Sequence, residues 1–260
     1  MSRQCGTAVE HIVIDAGSTD GTLEILRRYP HLRWISEPDR GQSDAINKGF
    51  LLAKGDLVGW LNADDYYLPD ALKAIARAAQ SHPEADVIYG DCVFVDGEGR
   101  VVRSKVEHEF DPYVLLYFGC YIPSTSTFFR HRLIEQGLLL DCDYRVAMDF
   151  EYFARLARLG CAFQYVQQFI AAFRWHEDNI SLRNVQRRAQ ERHSVQFASL
   201  GKQSEWALQA HRYSARARRL VRKLRSGNIV REAHVRMMAG FDTRWMNSPE
   251  LSQWQKLASW

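Results

Sequence analysis

The stretch GDLVGWLNADDYYLPDAL, residues 55–72, decides the fold. Its apolar run, residues 57–61, reads as a buried strand. The run ends directly in Asn62-Ala63-Asp64-Asp65. Polar groups at the carboxyl end of a strand sit where open α/β sheets place ligands. Two adjacent aspartates repel each other unless something positive lies between them. Oxygen donors at such a place suit Mg²⁺ or Mn²⁺, ions usually shared with substrate phosphates. Pro69 then stands at a favoured helix-opening position. A solvated Asp-rich turn that caps the next helix explains the same residues. This segment alone leaves metal binding and capping both open.

The pattern repeats upstream. Residues 11–15, HIVID, form a short strand of β-branched residues, and 17–21, GSTDG, form a turn cluster. A helix starts at Thr22 with Leu23, Ile25 and Leu26 on its apolar side. LRWISEP, 32–38, gives a second strand, and DRGQSDAINKGFLLAKG, 39–55, a second turn and helix stopped at Gly55. Successive strand–helix units predict a mostly parallel, doubly wound α/β sheet. In such a sheet Asp15, the turn from Arg40 to Asp44, and residues 62–65 all follow strands and share one rim. Turn capping accounts for Asp15, and helix capping for Arg40 and Asp44, equally simply.

Six segments, in this order and spacing, change the balance: HIVIDAGSTDGTLEIL, DRGQSDAINKGFLLAKGD, GWLNADDYYLPDAL, IPSTSTFFR, AMDFEYFARLARLG and FRWHEDNIS. Together they resemble family-2 glycosyltransferases of the GT-A fold, of the bacterial polysaccharide and cell-surface glycan type. The resemblance spans roughly residues 10–181. It implies inverting transfer of a sugar from a nucleoside-diphosphate sugar, most simply a UDP-sugar, to a glycan or lipid-linked acceptor. The donor-binding positions it implies are Asp15, Ser18, Arg40, Asp44 and Asn62. Asn62-Ala63-Asp64 matches the Asp-x-Asp motif, with Asn at its first position. Asp64, supported by Asp65 and His176, is then the expected site of a divalent cation, Mn²⁺ or Mg²⁺. Asp149 matches the catalytic base, with Met148 where Glu is more usual. Pro123, Ser124 and Thr125 fall in the acceptor-facing region.

Each of these residues also has a plainer role. Asp149 is a helix N-terminal carboxylate favoured by the helix dipole. Residues 121–130 read as an edge strand with polar alternation, and His176 beside Trp175 as a packing residue. Without the resemblance, the chemistry still asks for one metal-binding carboxylate cluster and one separate carboxylate base.

The start of the chain departs from the family. Residues 1–9, MSRQCGTAV, are small and polar where relatives have an apolar first strand. The expectation is a GT-A sheet lacking that strand, with residues 11–15 poorly paired on one side or paired directly with 57–61. A catalytically impaired relative is therefore the first rival reading. A sugar-nucleotide nucleotidyltransferase is the second, although the Gly-rich, Lys/Arg-bearing loop that class needs is not visible.

Composition fits a folded enzyme: 260 residues, 46% hydrophobic, formal net charge +3. No apolar run approaches the roughly eighteen residues of a membrane span. Five cysteines without metal-type spacing read as free thiols in the cytoplasm. Residues 1–180 form the expected catalytic domain and 181–260 a basic helical extension. Within it HRYSARARRLVRKLRSG, 211–227, clusters Leu220, Val221 and Leu224 among arginines. A basic amphipathic helix of this kind fits peripheral contact with the inner membrane surface, or simple packing on the catalytic domain. No fold signature for nucleic-acid binding is present. The tail carries Trp254 and Trp260.

Overall fold

The computed structural model describes residues 8–177, 179 and 183–238. Cys5, most of the polar start, the Trp254/Trp260 tail and part of the 173–181 motif lie outside them. The first units form as the hydrophobic pattern predicts. They are β1 (His11–Asp15), α1 (Thr22–Arg27), β2 (Leu32–Ser36), α2 (Gln42–Leu52) and β3 (Leu57–Gly59). After β4 (Tyr66–Tyr67) comes α3 (Ala71–Ser81), opened by Asp70 in the left-handed region at φ 58°. Pro69 therefore stands just outside that helix rather than in its first turn. There follow β5 (Val87–Val95), β6 (Val101–Lys105), α4 (Pro112–Phe118), β7 (Thr127–Arg130), α5 (His131–Glu135), α6 (Met148–Arg158) and β8 (Phe163–Arg174). The chain continues into α7 (Val185–Leu200), α8 (Glu205–Arg225) and α9 (Asn228–Met238).

The α/β class holds, and the pairing differs from the expectation of a mostly parallel sheet. β1 and β2 pair in parallel as a two-stranded sheet of their own. The larger sheet runs β3-β7-β5-β8-β4, with β6 also on β5. Its one parallel pair among the described strands is β5–β8. β3–β7, β5–β7, β4–β8 and β5–β6 are antiparallel. For β5–β6 the reason is local. β5 and β6 are joined by a tight turn in which the Asp96 carboxylate accepts the amides of Glu98 and Arg100. β7 lies inside the sheet between β3 and β5, so residues 127–130 are not an edge strand.

The core lies on β5 and the aromatic layer beside it. Trp60 stacks on Phe129 with ring centroids 5.4 Å apart, and Phe50, Tyr152 and Phe153 close around them. Gly90 lets β8 approach, since a Cβ there would meet Ile170 Cγ1 at 2.5 Å and Gln168 O at 2.7 Å. The β5–β8 register slips beside it, a bulge that a side chain would block.

β1 does not pair with β3. Between them lies a cavity of about 760 Å³ lined by Ile12, Ile14, Phe50, Leu57, Gly59 and Asn62, among others. Among the described strands, β1 pairs only with β2 and β3 only with β7. One edge of each is therefore without a ladder partner.

The described part of the basic extension packs back on the catalytic domain. α8 lies on α4, and α9 on β6 and α8. Arg218 and Arg222 reach Asp111, Arg219 reaches Glu107, and Arg231 reaches Asp91. No helix among the described residues is long and apolar enough to cross a membrane.

Candidate functional site

The end of β3 is built around two carboxylates that face different ways. Asp64 Oδ2 lies 2.7 Å from His176 Nε2, and both side chains are about a third exposed, at 34% and 37%. Asp65 points inward. One of its oxygens accepts the Arg174 amide at 2.8 Å, and the other accepts the Asn62 side-chain amide at 2.8 Å. Burial pushes the Asp65 carboxyl up to about 6; the Arg174 amide opposes this, and the neighbouring Asp64 charge adds to it. The expected trio of Asp64, Asp65 and His176 is thus not one ligand cluster. Among the described residues no group of three or more His, Cys, Asp or Glu side chains is arranged to hold a metal. Asp65 braces the loop because its site is buried beneath the β8 end, whereas Asp64 and His176 face each other at the surface. His176 is held from its backbone, whose amide donates to Asn179 Oδ1 at 2.8 Å.

Arg174, not singled out from sequence, ties this corner together. Its guanidinium donates to the carbonyls of Asp64, Asp96 and Gly97. The signal for it was present, since it immediately precedes Trp175-His176 in a quoted motif.

α2 connects this corner to the rest of the rim. Gln42 Nε2 donates to Asn62 Oδ1 at 2.5 Å, so Asn62 is held from both ends. Ser43 Oγ lies 3.1 Å from Tyr144 O and 3.1 Å from Met148 Sδ at the start of α6. The first turn of α2 therefore touches both the loop bearing Asn62 and the helix bearing Asp149. Gly41, at φ 112°, is pressed against the Arg145 guanidinium, where a Cβ would clash. Arg40 and Asp44 pair with each other across one helical turn, at the exposed edge.

Asp149 is half-buried at the start of α6. Burial raises its carboxyl above the ordinary range, opposed by the Phe150 amide that donates to it at 2.7 Å and by Lys105. Cys120 Sγ lies 3.8 Å from its second oxygen. Asp15 is placed differently. Its carboxylate accepts the amides of Gly17 and Ser18 and the hydroxyls of Ser18 and Ser36. The Ser18 hydroxyl, then Ser36, hold it down at about 2. Both Asp15 and Ser18 are engaged in pinning the β1–α1 turn to β2. In the region expected to face an acceptor, Pro123 and Thr125 are buried and Ser124 alone is partly exposed. The Pro123 carbonyl is occupied by Ser126 N and Thr127 Oγ1, which turns this short 3₁₀ segment inward.

A family model described as Glycosyl transferase family 2 matches residues 2–156. The chain is 32% identical over 158 residues to a PGL/p-HBAD biosynthesis glycosyltransferase of Mycobacterium bovis, covering 58% of this chain and 59% of that protein. It is 31% identical over 155 residues to an uncharacterized glycosyltransferase of Mycobacterium tuberculosis, covering 57% of each. The chain thus spans somewhat more than half the length of these curated relatives. Among solved structures it resembles S. aureus TarS in complex with UDP, with TM-score 0.56, 18% identity, and coverage of 78% of this chain and 60% of that one. It also resembles a mannosyltransferase from Pyrobaculum calidifontis in complex with GDP-Man and Mn²⁺, with TM-score 0.55, 18% identity, and coverage of 96% and 74%. These likenesses identify the fold as GT-A.

Proposed function

The chain belongs to glycosyl transferase family 2, and from that premise we propose that it transfers a sugar from a nucleoside-diphosphate sugar, a UDP-sugar in the first instance, to a hydroxyl of a glycan or lipid-linked acceptor, inverting the anomeric centre. The observation that carries this reading is the Asp64–His176 pair at the β3 end, with Asn62 clamped beside it. Asp64 and His176 would hold Mn²⁺ or Mg²⁺. One carboxylate oxygen and one imidazole nitrogen already lie together at the surface, which fits an ion that takes its remaining ligands from diphosphate and water. When bound, the cation offsets the charge that gathers on the leaving diphosphate.

The chain's own groups supply the rest. Asn62, fixed by Gln42 and Asp65, presents a rigid polar edge to the donor. Asp149 accepts the proton of the acceptor hydroxyl as the acceptor oxygen bonds to the anomeric carbon and the bond to the diphosphate breaks. Burial raises its carboxyl above the ordinary range, which makes it a stronger base than an exposed aspartate. Cys92, Cys120, Cys142 and Cys161 are free thiols, which supports a reducing, cytoplasmic setting.

A second reading rests on the cavity between β1 and β3. It lies beside Asn62, and an open wall at that place would weaken donor binding. Calorimetry separates the two. UDP binding that requires Mn²⁺ and is lost in Asp64→Ala supports transfer. Equal affinity in Asp64→Ala overturns the metal assignment, and no UDP binding by the parent chain favours the impaired enzyme.

A further inference from the structure

Helix α8 is amphipathic in the reverse sense. A surface helix ordinarily turns its apolar stripe to the core and its charges to water. In α8 the inward side carries Ala215, fully buried, together with Arg219 and Arg222, whose guanidinium groups pair with Glu107 and Asp111. The opposite side carries Trp206, Ala210, Tyr213, Ala217, Leu220 and Leu224, alternating four and three residues apart. This is one continuous line on a helix. All six are exposed, and Trp206 stands 76%, Tyr213 60% and Leu224 58% open to solvent. Val221 widens the line, and Val230 on α9 is a further exposed apolar side chain.

We propose that this outward stripe docks α8 flat on an anionic lipid bilayer, with Trp206, Tyr213, Leu220 and Leu224 entering the headgroup boundary. Two features favour lipid over a second copy of the chain. The first is size. Eighteen residues of helix are about 27 Å long, and one helix is about 10 Å wide. A pair of such faces would bury roughly 500 to 600 Å², well under the ~1,200 Å² of a stable protein interface. A bilayer needs no matching partner surface. The second is charge. α8 carries six arginines and one lysine against the single acid Glu205. Arg216, lying over the Tyr213 ring at 5.7 Å, and Arg225 flank the stripe on its two sides and are exposed. A second copy would bring arginine against arginine, whereas anionic headgroups accept them. This inference is independent of the sugar-transfer reading.

The test is sedimentation of the full chain with vesicles. One set is phosphatidylcholine alone, the other contains about one third phosphatidylglycerol, each at low and high salt. Expected is binding to the anionic vesicles that weakens with salt. The double substitution Leu220→Glu and Leu224→Glu should weaken it by about tenfold or more while leaving the thermal midpoint unchanged, because both side chains are already exposed. Arg216→Gln with Arg225→Gln should weaken it a few-fold and flatten the salt dependence. Absence of binding to either vesicle, or equal binding by the Leu220/Leu224 variant, overturns the proposal. So does light scattering that shows a dimer which that variant converts to monomer.

Discussion

Two sets of carboxylates in this molecule are treated in opposite ways. Asp91, Glu107 and Asp111 have fully buried side chains, and the chain brings its own cations to them: Arg231, Arg219, and Arg218 with Arg222. At the β3 end, Asp64 is a third exposed and meets an imidazole rather than a guanidinium. Buried charge must be paired within the protein or it costs several kcal/mol. A surface carboxylate facing a histidine keeps room for a countercharge from outside. The contrast sets carboxylates whose charge is satisfied within the protein apart from the one at which the cation is proposed to bind.

Substitution can break this contrast. The largest effect expected is on turnover. Asp149→Asn keeps the shape of the α6 start but cannot take a proton, so transfer should fall by about 10²–10⁴-fold with donor affinity little changed. A parental rate in a sugar-transfer assay removes Asp149 from the mechanism. Among the structural set, Glu107→Ala leaves Arg219 facing a buried void and should destabilise the fold by about 3–5 kcal/mol in denaturant unfolding. Asp64→Ala in the same assay should cost under about 1 kcal/mol. Similar losses for both would erase the distinction between the two sets.

Acid sharpens the same comparison. Desolvation pushes Glu107 and Asp111 up. Arg219, Lys105 and Lys223 outweigh it at Glu107, while the Val114 amide with Arg218 and Arg222 outweighs it at Asp111. Both therefore sit below the ordinary carboxylate range when folded. Their stabilisation is fully present above that range, near pH 4–4.5, and is lost as pH falls through the lower folded values. Asp91 is the exception, pushed by burial up to about 6 despite Arg231. Its contribution has the opposite sign, because the folded state holds the proton more tightly between about pH 4 and 6 and loses stability as pH rises through that window. Thermal midpoints across pH 3–7 should fall at the acid end in the parent, and Glu107→Gln should blunt that fall. A smaller effect than that of Glu107→Ala is expected at the β1–α1 turn. Ser36→Ala removes one of the hydrogen bonds to Asp15 and should cost about 1.5 kcal/mol, with the folded Asp15 carboxyl rising from its low value as followed by NMR titration.

Much of the site was legible because it is carried by local pattern. A short apolar run followed by polar residues places Asn62 and Asp64 at a strand end whatever the rest of the chain does, and Met148-Asp149 opens a helix by amphipathic spacing alone. Direction was not legible. Asp64 and Asp65 are neighbours of the same type, yet one faces the surface and one is braced beneath β8, because Arg174 and His176 arrive from more than a hundred residues away. The resemblance puts Pro123 and Thr125 in the acceptor-facing region and residues 121–130 read as an edge strand, but both residues are buried and β7, which follows them, lies inside the sheet.

The sequence by itself determined the first strand–helix units, the α/β class and the order of the motif-bearing loops, since hydrophobic period and turn residues act over a few positions, and the GT-A class was what the resemblance of the six segments implied. Only the tertiary structure decided the sheet's largely antiparallel pairing and the orientation of the arginine-rich helix. Charge pattern alone turns the basic side of α8 outward. Packing turned it inward, because Glu107 and Asp111, over a hundred positions earlier, are buried carboxylates that need those arginines, and satisfying them left the apolar side facing out.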